Sequence, residues 1–181
     1  MGSSEAGGYL DPAGRITGWL NELAFTPVDM NPAAPADEWS GDRGVGALYF
    51  SQQAVNKLAP AAGLRFPDDM KLPERLKAVQ DQANAGDPAA LKIFETIGVY
   101  LGYALPHYAD FYDYTNALIL GRVTSGAGGE TIFRTAKRLF AAEFPDLAAR
   151  IALHVPDEKS RRLGQAVAAA SLPELQKEMR L

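Results

Sequence analysis

The chain has no cysteine and only two histidines, His107 and His154, far apart in the sequence. Disulfides, thiolate zinc sites and cysteine nucleophiles are thereby excluded, and a histidine-based metal cluster is not expected. No apolar run is long enough to span a bilayer. The N-terminus, MGSSEAGGYL, lacks the basic and apolar regions of a secretory signal. MGSS has the look of a tag remnant, but no histidine run follows it, and it is taken as genuine sequence. A concentrated basic patch is missing as well. Lys and Arg are scattered and the formal net charge is −4, which argues against a nucleic-acid surface. The expected setting is cytoplasmic, with no membrane and no direct nucleic-acid contact from this chain.

What is present describes an ordinary globular protein. The 181 residues suffice for a single domain spanning 1–181 with a substantial core, and 47% of them are hydrophobic against 22% charged. Residues 7–23 resemble a hairpin, with GGYL and RITGWL as strands around the turn DPAG. From 26 to 48 the chain is crowded with Pro, Gly, Asp and Asn and predicts a long irregular excursion. Helices are expected over 51–63, with Ser51 as N-cap and Gly63 as stop, and over 73–86, with Pro73 in the first turn and Gly86 as terminator. Asp87 and Pro88 open a long, mostly buried helix running to about 112, with Leu91, Phe94, Ile97, Leu101 and Leu105 at three- and four-residue intervals. A buried strand over 115–123, an amphipathic helix over 129–144, a strand over 149–156 and an Ala-rich helix over 157–172 complete an α/β order. PELQKEMRL is polar helix or tail.

Chemistry concentrates in two glycine-rich stretches. GRVTSGAGGE (121–130) lies between a strand and a helix, which sets free backbone N–H groups beside the positive end of a helix dipole. Its spacing is neither a Walker loop nor a clean GxGxxG, and taken alone a tight structural turn is the commoner reading. GSSEAGG (2–8) is the second such loop, where small hydroxyl residues and glycines can wrap phosphate oxygens. A frayed terminus is the plain alternative, and Glu5 sets a carboxylate beside any phosphate. Asn21 and Glu22 follow a strand and can bind hydroxyls. Asp37, Glu38, Asp42 and Arg43 can add polar contacts. Trp19 and Trp39 can stack on a sugar ring, although core or loop-anchoring roles suit tryptophan better. His107 and His154 read as structural.

In order and spacing these pieces resemble the C-terminal half of a ROK-family protein. That family comprises bacterial sugar kinases and sugar-responsive repressors built on the actin-like, ribonuclease-H-like ATPase fold. GSSEAGGYLDPAGRITGWLNELAF is similar to the family's stretch with a Gly-Thr-Gly phosphate loop, a hairpin and a Glu-Ile-Gly-His sugar motif. IGVYLGYALPHYADFYDYTNALILGRVTSGAGG is similar to its long helix, strand and nucleotide loop, and ARIALHVPDEKSRRLGQAVAAA to its terminal strand and helix. The resemblance covers most of 2–172, and 85–130 is its most specific part. It implies an α/β C-terminal lobe with a mixed sheet and packed helices.

By position, the resemblance places Gly2, Ser3 and Ser4 beside nucleotide phosphates. It places Gly121, Thr124, Ser125, Gly126, Gly128 and Gly129 on the adenine and ribose side, and Asn21 and Glu22 against sugar hydroxyls. ATP and magnesium are the implied cofactors, a sugar the implied ligand, and a homodimer the implied assembly. Three departures qualify this. The family's sugar- and zinc-binding histidine falls on Phe25. Its cysteine-rich zinc loop falls on WSGDRGVGALYFS, so no zinc is expected. The first lobe, with its Asp-Gly-Gly-Thr-like loop and proton-accepting aspartate, is absent from this sequence. No catalytic residue is therefore expected in it, and the N-terminal lobe becomes a partner in cis or trans. An ATP-dependent sugar kinase lobe of hexokinase or glucokinase type, the sensing half of a regulator, and a degenerate dimerisation lobe all fit these features.

Overall fold

A computed structural model describes residues 1–11, 13–15 and 21–156. The fold is organised around one long helix, α4 (Pro88–Ala109), with α5 (Gly126–Glu143) packed along it. Asp87 starts α4 by accepting a hydrogen bond from Ala90 N at 2.8 Å, and Pro88 occupies the first turn. Ile93, Phe94, Ile97, Leu101 and Leu105 form its inward stripe and are buried. Burying a side chain of this size is worth roughly 1.5–3 kcal/mol, so this stripe is the principal anchor of the fold.

The α4–α5 contact is close because both helices present glycines to it. A side chain on Gly98 would stand 2.7 Å from Ile132 O, and one on Gly128 would stand 2.7 Å from two ring carbons of Phe94. Gly102 lies under the Leu139 side chain. Three shorter helices also pack on α4: α1 (Ala47–Phe50), α2 (Gln52–Leu58) and α3 (Leu72–Asn84), the last touching α5 as well. Ser51 caps α2 by accepting from Gln53 N at 3.0 Å, and Gly63 and Gly86 close their segments at φ of +80° and +84°. Arg75 ties the approach to α3 into place, donating to the carbonyls of Pro67 and Met70 and to Asn56 Oδ1.

The sheet departs from expectation. The mixed sheet anticipated from the sequence is, among the described residues, a two-stranded parallel ladder. Strand β1 (Asn116–Leu118) pairs with β2 (Ala152–His154) in the register Ala117 to Leu153. The strand expected to be buried over 115–123 is short, and Leu118 and Leu120 are exposed, because no further layer of the described chain covers their face. The strand expected from 149 begins at Ala152. Pro145 and Asp146 instead nucleate a short helix, α6 (Pro145–Arg150), that the alternating pattern of the sequence concealed. Helix α5 starts at Gly126 rather than 129, taking the last glycines of the 121–130 stretch into its first turn. Excursion 26–48 is irregular as expected, held by isolated antiparallel bridges Pro27 to Val45 and Ala36 to Arg43, until α1 begins at Ala47. Of the hairpin expected over 7–23, Gly14 N donates to Asp11 O at the turn, while GGYL forms no regular strand. Most of the expected second strand, with Trp19, lies outside the described residues, as do the helix expected over 157–172 and the tail.

Candidate functional site

Met1, the residue before the first glycine-rich stretch, meets the start of the second, more than a hundred residues away in sequence. Met1 N donates to Leu120 O at 3.0 Å, and Met1 O accepts from Val123 N at 3.3 Å. Gly121 permits this approach. Its φ of +127° suits glycine alone, and a Cβ there would stand 2.0 Å from Met1 O. Gly2 O accepts from Gln52 N at the start of α2, which fixes the first residues against the helical layer. Ser3 and Ser4 remain at the surface.

After Gly121 the chain makes a 3-10 turn over Arg122–Thr124 and enters α5. Buried Thr124 donates its hydroxyl back to Gly121 O at 2.9 Å, so that group is used within the loop. Ser125 takes the extended N-cap conformation. Gly126, at φ +63°, lies against the Asn84 amide, whose Oδ1 accepts from Ala127 N at 2.9 Å. Gly128 and Gly129 are buried against Phe94 and the Thr124 carbonyl. They set the depth of α5 in the core, whereas Gly121, Ser125 and Gly126 line or border the open surface.

That surface is a pocket of about 280 Å³ between α3 and the start of α5, with Leu76, Gln80, Asn84, Arg122, Ser125 and Gly126 among its lining. Gln80 Nε2 donates to Arg122 O at 2.6 Å. Gln80 and Asn84 stand one helical turn apart on α3 and were not among the residues expected from the sequence. The one local signal was a pair of amides spaced i, i+4 on a helix ending at Gly86.

Glu5 sits behind the N-terminal loop rather than in it. It is 6% exposed, accepts a hydrogen bond from Tyr108 Oη at 3.0 Å, and presses Oε2 against the open side of Gly46, where Leu23 O also lies. Oε2 is buried with no hydrogen-bond partner among the described residues. Burial pushes the carboxyl up to about 7, opposed by the Tyr108 hydrogen bond and the Met1 amine. The electrostatic objection to a phosphate loop containing Glu5 is therefore weakened, since the carboxyl faces inward and holds its proton more readily than a solvated glutamate.

On the sugar side, Asn21 Oδ1 accepts from Tyr112 Oη at 3.0 Å, and Asn21 O accepts from Gly7 N and Leu23 N. Exposed Glu22 precedes the 3-10 turn Leu23–Phe25 and makes no side-chain hydrogen bond to it. Tyr9 and Tyr112 pack ring to ring with centroids 5.5 Å apart, tying this segment to the chain just after α4. The excursion that follows folds on itself without metal ligands. Asp37, buried to 7% exposure, accepts from Trp39 N and Ser40 N and closes a turn over 37–42. Trp39 is 84% exposed, so a core role for it is excluded. Its ring stands 5.5 Å from that of Phe25, at 33° to it. From α1, Tyr49 Oη donates to Asp29 Oδ2 of the excursion at 2.5 Å, and the Lys57 ammonium lies 3.5 Å from the centre of the Tyr49 ring. Among the described residues no group of three or more His, Asp or Glu is placed to hold a metal ion.

No protein-family profile and no curated protein sequence matches the chain. Solved structures do. A ROK family glucokinase from Streptomyces griseus, in complex with glucose and AMPPNP, superposes with a TM-score of 0.61 at 20% identity, over 77% of this chain. A ROK family transcriptional regulator, a homolog of the E. coli MLC protein, superposes with a TM-score of 0.61 at 16% identity, over 86% of this chain. The chain spans 49% of the length of that glucokinase and 40% of that regulator. The described chain has the fold of ROK-family proteins.

Proposed function

We propose that this chain is the C-terminal lobe of a ROK-type sugar kinase, supplying nucleotide-loop and sugar contacts without the catalytic base. One observation carries the reading. The folded chain joins Met1 to the loop at 120–123, whose Arg122 lines a pocket between α3 and the first turn of α5. Backbone N–H groups at such a helix start favour anions, and glycines let a phosphate approach the backbone closely.

The residues present fit a nucleotide. Gly2, Ser3 and Ser4 would border its phosphates, with magnesium alongside. Gly121, Ser125 and Gly126, with Gln80 and Asn84, would hold the nucleoside end, while Thr124, Gly128 and Gly129 shape the loop from behind. ATP would supply the transferable phosphoryl group. The chain's own residues bind and orient. Asn84 fixes the α5 start, and Asn21 and Glu22 offer an amide and a carboxylate to sugar hydroxyls. The proton-accepting aspartate belongs to the other lobe in this reading, so the chain alone turns over no substrate.

A second reading, the sensing half of a ROK-type regulator, is favoured by the larger coverage of the regulator match, 86% against 77%. A homodimer is part of both readings. Exposed Leu118 and Leu120 offer an apolar face to a second lobe or a second copy. Calorimetric titration with AMPPNP and magnesium, followed by glucose and a coupled ADP assay, tests the proposal. Nucleotide binding with no ADP release is the expected result. ADP release by the chain alone would refute the assignment of the base to another lobe, and absence of nucleotide binding would refute the lobe's retained role.

A further inference from the structure

We infer that the Glu5 side chain is a proton-operated latch on segment 2–6, seated over Gly46 as the acid and released as the carboxylate. Its consequence for nucleotide binding rests on the proposed role of Gly2, Ser3 and Ser4 beside phosphates.

The geometry isolates this one tether. Gly2 O accepts from Gln52 N, and Gly7 N donates to Asn21 O at 3.0 Å, so the chain is tied to the fold at both ends of the stretch. Among the described residues no backbone hydrogen bond joins 3–6 to the rest of the fold, and the bond that Ser4 O accepts comes from Gly2 N. Ser3, Ser4 and Ala6 are exposed, whereas Glu5 is buried. Its Oε1 accepts from Tyr108 Oη on α4, and its Oε2 shares with Leu23 O the spot that a side chain on Gly46 would fill. A carboxylate there sets an oxygen without a donor toward a carbonyl, whereas the acid carries a proton to offer it. The seat therefore suits the protonated form.

Burial pushes the seated carboxyl up to about 7, against 4.5 for a solvated one, with the Tyr108 hydrogen bond and the Met1 amine opposing. The seated form thus holds its proton more tightly than the released form. Its grip is full below about 4.5 and is lost as pH rises toward 7. From pH 5.5 to pH 7.5 these two values raise the ratio of released to seated segment roughly 20-fold. Around the carboxyl, Tyr108 and Tyr114 are pushed above the ordinary phenol range by burial, and Tyr112 lies beside Tyr108. Leu23 and Gly46 meet it with backbone atoms. The Met1 amine, lowered by burial, is the cation that faces it, and acetylating the N-terminus removes that charge.

The test is residue-resolved amide exchange by NMR on N-acetylated wild type, Glu5→Gln and Tyr108→Phe across pH 5.5 to 8, corrected for intrinsic exchange at each pH. Gly2 N and Gly7 N, the bonded amides on either side of Glu5, report the release. Wild type should lose protection roughly 20-fold between pH 5.5 and 7.5, and Glu5→Gln less than about threefold. The wild-type loss should level off above pH 7, whereas Tyr108→Phe, lacking the hydrogen bond that lowers Glu5, should continue to lose protection. AMPPNP with magnesium, titrated calorimetrically at pH 5.5 and 7.5, should lose affinity for wild type relative to Glu5→Gln as pH rises. Equal pH dependence of the two amides in wild type and Glu5→Gln overturns the latch, as does protection that rises with pH. Amides that respond as expected in a chain that binds no AMPPNP uphold the latch and overturn the nucleotide reading. AMPPNP binding with amides indifferent to pH does the reverse.

Discussion

Replacing Glu5 by Gln isolates the energy stored in one buried carboxyl. In the folded chain this group titrates near 7, against an ordinary value of 4.5. Between these values the folded state holds more protons than the unfolded state, so stability falls as pH rises from about 4.5 to 7 and is flat above. At 1.36 kcal/mol per pH unit the full penalty is about 3 kcal/mol, of which roughly 2.5 accrues between pH 5 and pH 8. Gln keeps an acceptor for Tyr108 Oη and turns an N–H toward the region of Leu23 O, replacing an unpartnered oxygen with a donor. Urea denaturation followed by circular dichroism at both pH values gives the difference between variant and wild type at each. Groups not coupled to Glu5 cancel in the comparison, and the Met1 amine, whose charge Glu5 favours, is removed from it by acetylating the N-terminus of both proteins. The variant should gain roughly 2.5 kcal/mol relative to wild type on going from pH 5 to pH 8, about 1 M in urea midpoint for a domain of this size. A difference that stays constant with pH would refute the burial argument.

Two further outcomes follow from packing and hydrogen bonding. Gly98→Ala drives a methyl group to 2.7 Å from Ile132 O and 2.8 Å from Thr135 Cβ, and should destabilise by about 1–3 kcal/mol in thermal unfolding. Tyr49→Phe removes the strongest of the influences that hold the Asp29 carboxyl below its usual range. The Asp29 pKa should therefore rise toward that of a solvated aspartate in a carboxyl NMR titration, with a stability loss of about 1 kcal/mol at neutral pH.

The helical framework was legible because its signals are local. Ser51, Gly63, Pro73, Gly86, Asp87 and Pro88 each declare a cap or a stop within a few residues, and all six act as their chemistry suggests. The sheet was less legible. An apolar run such as ALIL reports a preference for burial, but whether Leu118 and Leu120 are covered depends on layers far away in the chain or beyond it. Ala149 and Arg150 belong to an alternating pattern that suits a strand, yet Pro145 four residues earlier commits them to a helix. At the candidate site the glycines could be picked out, but their division of labour could not. Gly128 packs under Phe94 through a long-range contact that no spacing encodes. Gln80 and Asn84 gained their place only when α3 docked beside loop 120–126. Glu5 was visible as a charge in a glycine loop, and its inward turn came from the cavity that Gly46 leaves open.

The glycine contacts between α4 and α5 also decide which part of the site can move. With Gly128 seated on Phe94 and Gly98 against Ile132 O, the start of α5 cannot shift without opening the core. Loop 120–126 is thus a fixed jaw, and its bonded amides at Val123 and Thr124 should exchange more slowly than its exposed ones at Arg122 and Gly126. The excursion over 26–44 has no such anchor at its tip, where Trp39 rests on hydrogen bonds within a single turn. Among the described residues, the excursion is therefore the one of these two parts free to adjust to a ligand, with the glycine-packed helices as the rigid part.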